Sequence, residues 1–226
     1  MKKEWILILL LVIIAFVYHK KTNSVLPNQI VSPPSPSFRN KIEEKPVITV
    51  DIIKHTRVRP VDGLGIVLSD IESHMPAGHH FKSSNLITWA HETTHGINSN
   101  LRNKHRKTVK INGFYVLEDR AIIVEEPPTT IGNIAKMVPA SWRGSCYDLY
   151  LVRQRRDWDK EPLYLCDEWV AYTNGAACRK DLKIKDQVSE VIYACEFVGY
   201  AICLASVVKN ECPQYDDKQL RAFIMW

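Results

Sequence analysis

The chain has 226 residues, of which 46% are hydrophobic and 24% charged, and this composition is that of a globular protein with enough length for one sizeable core. It excludes a wholly disordered chain, a collagen and a coiled coil. The formal net charge is +5, but four lysines and Glu4 place +3 of it in residues 1–21. The small remaining charge argues against a nucleic-acid partner.

The N-terminal segment contains an uninterrupted apolar run of 14 residues, Trp5 to Tyr18, with lysine pairs on both sides. At about 1.5 Å per residue this run spans roughly 21 Å as a helix, which is short for a membrane crossing. No small-x-small cleavage site follows it, so residues 1–21 are predicted to be an uncleaved signal-anchor. A removed signal peptide and a buried helix are the alternatives. We therefore expect a membrane-anchored protein with its folded domain outside the cytoplasm, or a secreted protein if the segment is cleaved.

Residues 22–46 are predicted to be a linker, because they contain five prolines interleaved with serine and asparagine. The folded domain is expected to occupy residues 47–226. It opens with a β-branched stretch, Val47–Ile53, that predicts a strand.

The pattern after residue 80 predicts a helix. Ser83, Ser84 and Asn85 can cap a helix of about three turns over residues 86–95, and Gly96 can end it. The basic stretch 101–110 that follows is predicted to be a solvated loop.

A β-hairpin is predicted over residues 109–117, since Asn112-Gly113 supplies both positive-φ positions of a tight turn. A further strand is expected over residues 120–124, and helices over 130–138, 167–177 and 186–209. The last of these contains an apolar stretch, 191–208, long enough to consider a second membrane crossing. Glu196 lies within it and would be expensive in lipid, so a core helix is favoured.

Six cysteines lie in the C-terminal part of the chain, at positions 146, 166, 178, 195, 203 and 212. An even number in a chain with an export-like segment permits disulfides. Buried thiols are the alternative, and core packing is expected for Cys195 and Cys203.

His91-Glu92-Thr93-Thr94-His95 has the pattern H-E-x-x-H. Residues i and i+4 lie on one helix face, so the two imidazoles can bind one zinc ion while the glutamate reaches a water molecule. Catalytic zinc normally takes three protein ligands and keeps one open position. A metzincin would have glycine and histidine at positions 98 and 101, where this chain has Asn98 and Leu101, so that class is excluded.

The second segment, Asp167-Glu168-Trp169-Val170-Ala171-Tyr172, completes a resemblance to gluzincin metallopeptidases, in which a glutamate of a downstream E-x-x-A helix is the third ligand. The resemblance covers about 15 residues, and Tyr172 stands where some gluzincins have aspartate. It implies that His91, His95 and Glu168 hold Zn²⁺. A helix-surface role for Glu168 is the alternative. Asp167 and Asp148 are candidates to orient a zinc-bound histidine.

Glu92 would act as the general base in this reaction and pass the proton to the leaving amine. Tyr172, one turn after Glu168, and Tyr115, next to the predicted hairpin turn, are candidates for stabilising the oxyanion. Core or surface packing is the alternative for each. The histidine-rich segment 73–80 is a candidate lid or second source of donors, or a polar loop.

The predicted hairpin also suggests how a peptide substrate could bind. A peptide can add as an extra strand to an exposed sheet edge, in which case Ile111 and Tyr115 would flank the cleft. An ordinary hairpin packed on the core is the alternative.

The sequence thus predicts an α+β, zincin-like domain, with a small mixed or antiparallel sheet packed on a metal-bearing helix and a mainly helical C-terminal half. A zinc metallopeptidase acting on peptides or proteins is the leading interpretation. An anchored, non-catalytic metal-containing binding module is the second, and retention of Glu92 argues against it. A basic protein binding anionic lipid or nucleic acid is the third, resting on residues 101–110 and 153–156.

Overall fold

The computed structural model describes residues 60–106, 108–185 and 189–225, all of which belong to the compact unit Lys45–Trp226. The predicted anchor, linker and strand Val47–Ile53 lie outside the described residues, so these three assignments stay predictions.

The helices and strands follow one another in the order helix, helix, hairpin, then helices. Their bounds are α1 Gly65–Ser73, α2 Leu86–His105, β1 Ile111–Tyr115, β2 Ala121–Glu125, α3 Ile131–Met137, a 3₁₀ turn Ala140–Trp142, a π-helix Tyr147–Arg153, α4 Arg155–Trp158, α5 Tyr164–Asp181, α6 Ser189–Glu211 and α7 Lys218–Met225. The domain is therefore α+β and mostly helical, as the sequence predicts, and its described sheet is a two-stranded antiparallel pair.

The hairpin lies between two hydrophobic clusters. Phe114 and Ile122 face the larger cluster, which includes side chains of α5, α6 and α7. Tyr115 and Ala121 face the smaller one, which includes residues of α1 and α2 such as Leu68. Because both faces are covered, all five residues of β1 are buried, and the strand lacks the apolar-polar alternation of a half-exposed sheet.

The predicted turn at Asn112-Gly113 is wrong, since both residues lie inside β1. Gly113 is needed there because a Cβ atom at this position would overlap the Cβ atom of Leu101. The Asn112 side chain accepts a hydrogen bond from Arg102. The turn instead comprises Leu117, Glu118 and Asp119, which all have positive φ. Tertiary contacts override the local turn signal in this strand.

Helix α2, which contains the motif His91–His95, is longer than predicted. Asn85 caps it as expected, accepting hydrogen bonds from the backbone of Ile87 and Thr88. The helix does not end at Gly96 but continues to His105, so residues 101–105 are its last turn rather than a loop. Gly96 and Leu101 are both buried. Packing holds this helix past a residue that often ends helices.

The long C-terminal helix, α6, packs on α5 and buries Phe197, Tyr200 and Leu204 in the larger cluster. Among the described helices, α6 alone is long and apolar enough to cross a membrane. Of its most apolar 18-residue stretch, 39% is buried within the fold. The carboxylate of Glu196 on this helix accepts hydrogen bonds from the backbone N–H groups of Ser145 and Cys146, at the start of the π-helix.

All six cysteines lie in the described residues, and each is a free thiol. Cys203 is buried, as predicted, but Cys195 is exposed on α6, so the expectation of core packing is wrong for Cys195. The other four thiols are buried.

Candidate metal centre

The motif His91–His95 lies in the middle of α2. The helix buries one row of side chains at helical spacing, Ile87, Ala90, Thr94, Ile97 and Leu101. His91 and His95 follow directly after two members of this row, so their rings lie at the edge of the core. Their side chains are 13% and 21% exposed.

Helix α5 packs against α2 and brings Glu168 to the two histidines. The Nε2 atoms of His91 and His95 are 3.1 Å apart. Glu168 Oε2 lies 3.7 Å from the first of these atoms and 3.6 Å from the second. The structure therefore brings together the three ligands that the resemblance implies, although Glu168 follows the two histidines by more than 70 residues in the chain.

Asp167 fixes the ring of His95. Its Oδ2 atom accepts a hydrogen bond from Nδ1 of His95 at 2.8 Å, while its Oδ1 atom accepts one from Asn98 at 2.6 Å. Asn98 in turn accepts a hydrogen bond from the backbone of Tyr115. In neutral His95 these hydrogen bonds favour the tautomer with the proton on Nδ1, which presents a lone pair on Nε2. Of the two proposed orienting residues, Asp167 occupies this position, and Asp148 is exposed on the π-helix.

The charges of the cluster shift the pKa values of the two histidines in opposite directions. Burial, followed by the charge of His95, lowers the pKa of His91 to about 4. Burial also opposes protonation of His95, but its hydrogen bond with Asp167 and the charge of Glu168 raise its pKa to about 10. The pKa of Glu168 is lowered, since the interactions with both histidines outweigh the effect of its burial. Without a metal ion, a proton on His95 therefore offsets the negative charge of Glu168.

Tyrosines surround the Glu168 side of the cluster. Tyr164, one turn before Glu168, donates a hydrogen bond to its Oε1 atom at 2.8 Å. The ring of Tyr172 contacts that of His91, with 4.4 Å between centroids. The hydroxyl of Tyr172 lies 2.9 Å from that of Tyr150 on the π-helix. Tyr172, a predicted site residue, therefore lies beside the candidate metal ligand His91.

Tyr115, the other predicted oxyanion donor, points to a different cluster. It is fully buried, and its hydroxyl donates a hydrogen bond to Asp70 at 2.6 Å. Nearby, His74 lies between two acceptors, with Nδ1 2.7 Å from the carbonyl oxygen of Asp70 and Nε2 2.6 Å from Asp119. These residues join α1 to the hairpin turn, and the Tyr115 hydroxyl has its hydrogen-bond partners there.

The predicted strand-addition site is also occupied. On the side of β1 that faces away from β2, the backbone N–H of Tyr115 donates to Asn98. Its carbonyl oxygen accepts a hydrogen bond from Asn174. Ile111 is buried too. A peptide cannot pair with β1 at Tyr115, because two side chains already take its hydrogen-bonding groups.

An open cleft of about 450 Å³ runs along α2 and reaches the cluster at His95. Glu92 and His95 line it, as do Gly96, Ser99, Asn100 and Asn103 further along the helix, and Pro76, His79 and Phe81 from the preceding loop. His79 packs directly on Gly96, where a Cβ atom would come within 2.6 Å of the imidazole ring. The histidine-rich segment 73–80 thus contributes two residues, Pro76 and His79, to the wall of the cleft.

Sequence analysis missed three residues of this site: Asn98, Tyr150 and Tyr164. Tyr164 precedes Glu168 by four residues, and Asn98 follows His91 by seven, so helical spacing was a usable signal for both. Asn98 lies beyond the predicted end of this helix, and it entered the sequence analysis only as the position where a metzincin has glycine. Tyr150 carried no such signal, since it comes from a separate π-helix.

No protein-family model, curated protein or solved structure matches the chain.

The donor set fits a zinc ion. Tetrahedral zinc with ligands at about 2.0–2.1 Å separates neighbouring ligand atoms by roughly 3.4 Å, close to the three separations among His91, His95 and Glu168. Glu168 Oε2 is also buried, and no described residue donates a hydrogen bond to it. A buried carboxylate oxygen of this kind needs a cation or a proton.

Proposed function

We propose that this chain is a zinc-dependent metallopeptidase of zincin-like fold that hydrolyses peptide bonds. The observation that carries the proposal is the convergence of the ligand atoms of His91, His95 and Glu168, with Glu92 lining an open cleft beside them. Two histidines and one carboxylate leave one position open, as catalytic zinc sites do and structural sites do not. The resemblance to gluzincins points the same way.

Zinc, when bound, lowers the pKa of a water molecule and polarises a carbonyl group. The residues of the chain supply the rest of the reaction. Glu92 takes the proton of the attacking water and returns it to the leaving amine. Asp167 and Tyr164 hold His95 and Glu168 in place through the hydrogen bonds described above. Tyr172 is the proposed donor to the oxyanion that forms as the carbonyl is attacked.

The proposed location of the enzyme follows from its N-terminal segment. Residues 1–21 would anchor it in a membrane, with the catalytic domain and its peptide or protein substrates outside the cytoplasm, or would be removed to give a secreted enzyme. The linker 22–46 would separate the domain from the bilayer.

The test is cleavage of an unstructured protein by the full-length, zinc-loaded chain. Glu92→Gln should reduce turnover by about 10²–10⁴-fold, the usual contribution of a general base, and should leave the zinc content unchanged. Glu118→Gln is the matched control, because Glu118 is 75% exposed on the hairpin turn and away from Glu168. Equal turnover by the two variants would contradict the proposal. A zinc-loaded wild type that binds peptides without cleaving them would favour the non-catalytic binding module.

A further inference from the structure

The Glu92 cleft offers a way for substrate to reach the candidate metal centre. The His91 side is covered by the ring of Tyr172, which packs on Phe197 in turn. On the sheet side, β1 has its backbone groups at Tyr115 taken by two asparagines. The open cleft begins at Glu92 and His95 and follows one face of α2.

The floor of this cleft is polar and regularly spaced. Glu92, Gly96, Asn100 and Asn103 recur along α2 at intervals of three or four residues, so they share one helix face. Asn100 and Asn103 are exposed, and within the part of the chain that the structure describes no side chain or backbone group bonds to their amides. Between Glu92 and Asn100 on this face, Gly96 lies directly beneath the imidazole of His79, which lines the cleft at this point.

We infer that the cleft binds the main chain of an extended peptide along α2, through the side-chain amides of Asn100 and Asn103. This inference rests on the proposed peptidase function and names its substrate class. An asparagine side chain offers a donor and an acceptor, the same pair that each peptide unit offers. The amides therefore recognise the backbone of the peptide and impose little preference for its side chains.

The dimensions of the cleft set the length of the substrate. Asn103 follows Glu92 by 11 residues, which is about 16 Å along the helix axis. An extended peptide covers this distance with about five residues, at roughly 3.3 Å each. The substrate class is thus an unstructured segment reaching several residues beyond the bond that is cut, rather than a di- or tripeptide.

Peptide binding to the full-length, zinc-loaded Glu92→Gln variant tests this inference without cleavage. Fluorescence anisotropy would compare a tripeptide with an octapeptide of the same neutral composition. The octapeptide should bind about tenfold more tightly. Adding Asn100→Ala and Asn103→Ala should remove most of that advantage, as two hydrogen bonds of ordinary net strength predict. Lys104→Ala, an exposed neighbour outside the cleft, is the control and should not change either affinity.

A second peptide separates backbone recognition from side-chain recognition. An octapeptide with N-methylated amides in its outer half keeps its side chains but loses backbone donors, and should bind like the tripeptide. The inference is overturned if the peptides bind with equal affinity, if the asparagine substitutions have no effect, or if no peptide binds. Length-dependent binding that requires both asparagines, together with a wild type that cleaves nothing, would support the cleft and reject the peptidase.

Discussion

Asp167 Oδ2 lies 2.8 Å from Nδ1 of His95, and this contact joins the two helices that carry the candidate metal ligands. Asp167 directly precedes Glu168, so one turn of α5 supplies both a ligand and the group that orients another ligand. The same carboxylate reaches Asn98 on α2. The candidate metal site and the packing of α5 on α2 therefore share the Asp167 side chain.

Asp167→Asn should lower the affinity for zinc by about 10–100-fold, because an amide cannot replace the carboxylate that orients His95 and increases its basicity. Competition with a chelator would measure the change. Asp148→Asn, at an exposed position on the π-helix, is the control and should retain the wild-type affinity. Equal affinities for the two variants would show that the contact with His95 does not support metal binding.

Zinc affinity should rise with pH over the neutral range. His95 has a pKa raised to about 10, so in the metal-free protein zinc must displace its proton, and the competition weakens as pH increases. His91, with a pKa lowered to about 4, is already deprotonated near neutrality and adds no further dependence. We expect the zinc affinity to change by about tenfold per pH unit between pH 6 and 8, as for one displaced proton. An affinity that does not change over this range would contradict this account of the cluster.

Tyr172→Phe tests the role of the tyrosine beside His91. If its hydroxyl donates to the oxyanion, kcat should fall by about 10²–10³-fold, with KM and zinc content little changed. Tyr147→Phe is a suitable control, since the Tyr147 hydroxyl donates to the carbonyl oxygen of Ala135. A fall in kcat that Tyr147→Phe reproduces would point to a general loss of packing instead.

Gly113→Ala should destabilise the fold by about 1–3 kcal/mol, because the added methyl group would overlap the side chain of Leu101. Gly175→Ala, in the middle of α5, is the matched change. Its Cβ atom would make an ordinary contact 3.5 Å from Ile87, and helix propensity favours alanine there by about 1 kcal/mol. Urea denaturation of the zinc-loaded proteins would measure both free energies of unfolding. A Gly113→Ala variant as stable as Gly175→Ala would contradict the position of Gly113 against α2.

The sequence predicts those features that depend on local spacing. His91 and His95 share a helix face because they are four residues apart, and the cap at Asn85 follows from the side chain of that residue alone. Glu168 was predicted from the resemblance to gluzincins that two separated segments of the chain share. The packing of α5 on α2 then brings its carboxylate to the histidines.

The features that the sequence did not predict depend on contacts between distant parts of the chain. Gly96 and Gly113 both carry the local signal of an end or a turn, yet each lies inside an element because a neighbouring side chain, His79 or Leu101, needs the space. The actual hairpin turn, with positive φ at Leu117, has no glycine. It is held to α1 by Asp70, which accepts a hydrogen bond from the backbone of Glu118.

We propose that His91, His95 and Glu168 together hold one zinc ion, and elemental analysis of the purified full-length chain would measure it. Wild type should contain about one zinc per chain, and His95→Ala and Glu168→Ala should each contain much less, since catalytic zinc depends on all three protein ligands. His80→Ala, at an exposed position of the histidine-rich segment, should retain the wild-type content. Undiminished zinc in Glu168→Ala, or a wild type that takes up no zinc on reconstitution, would contradict the claim.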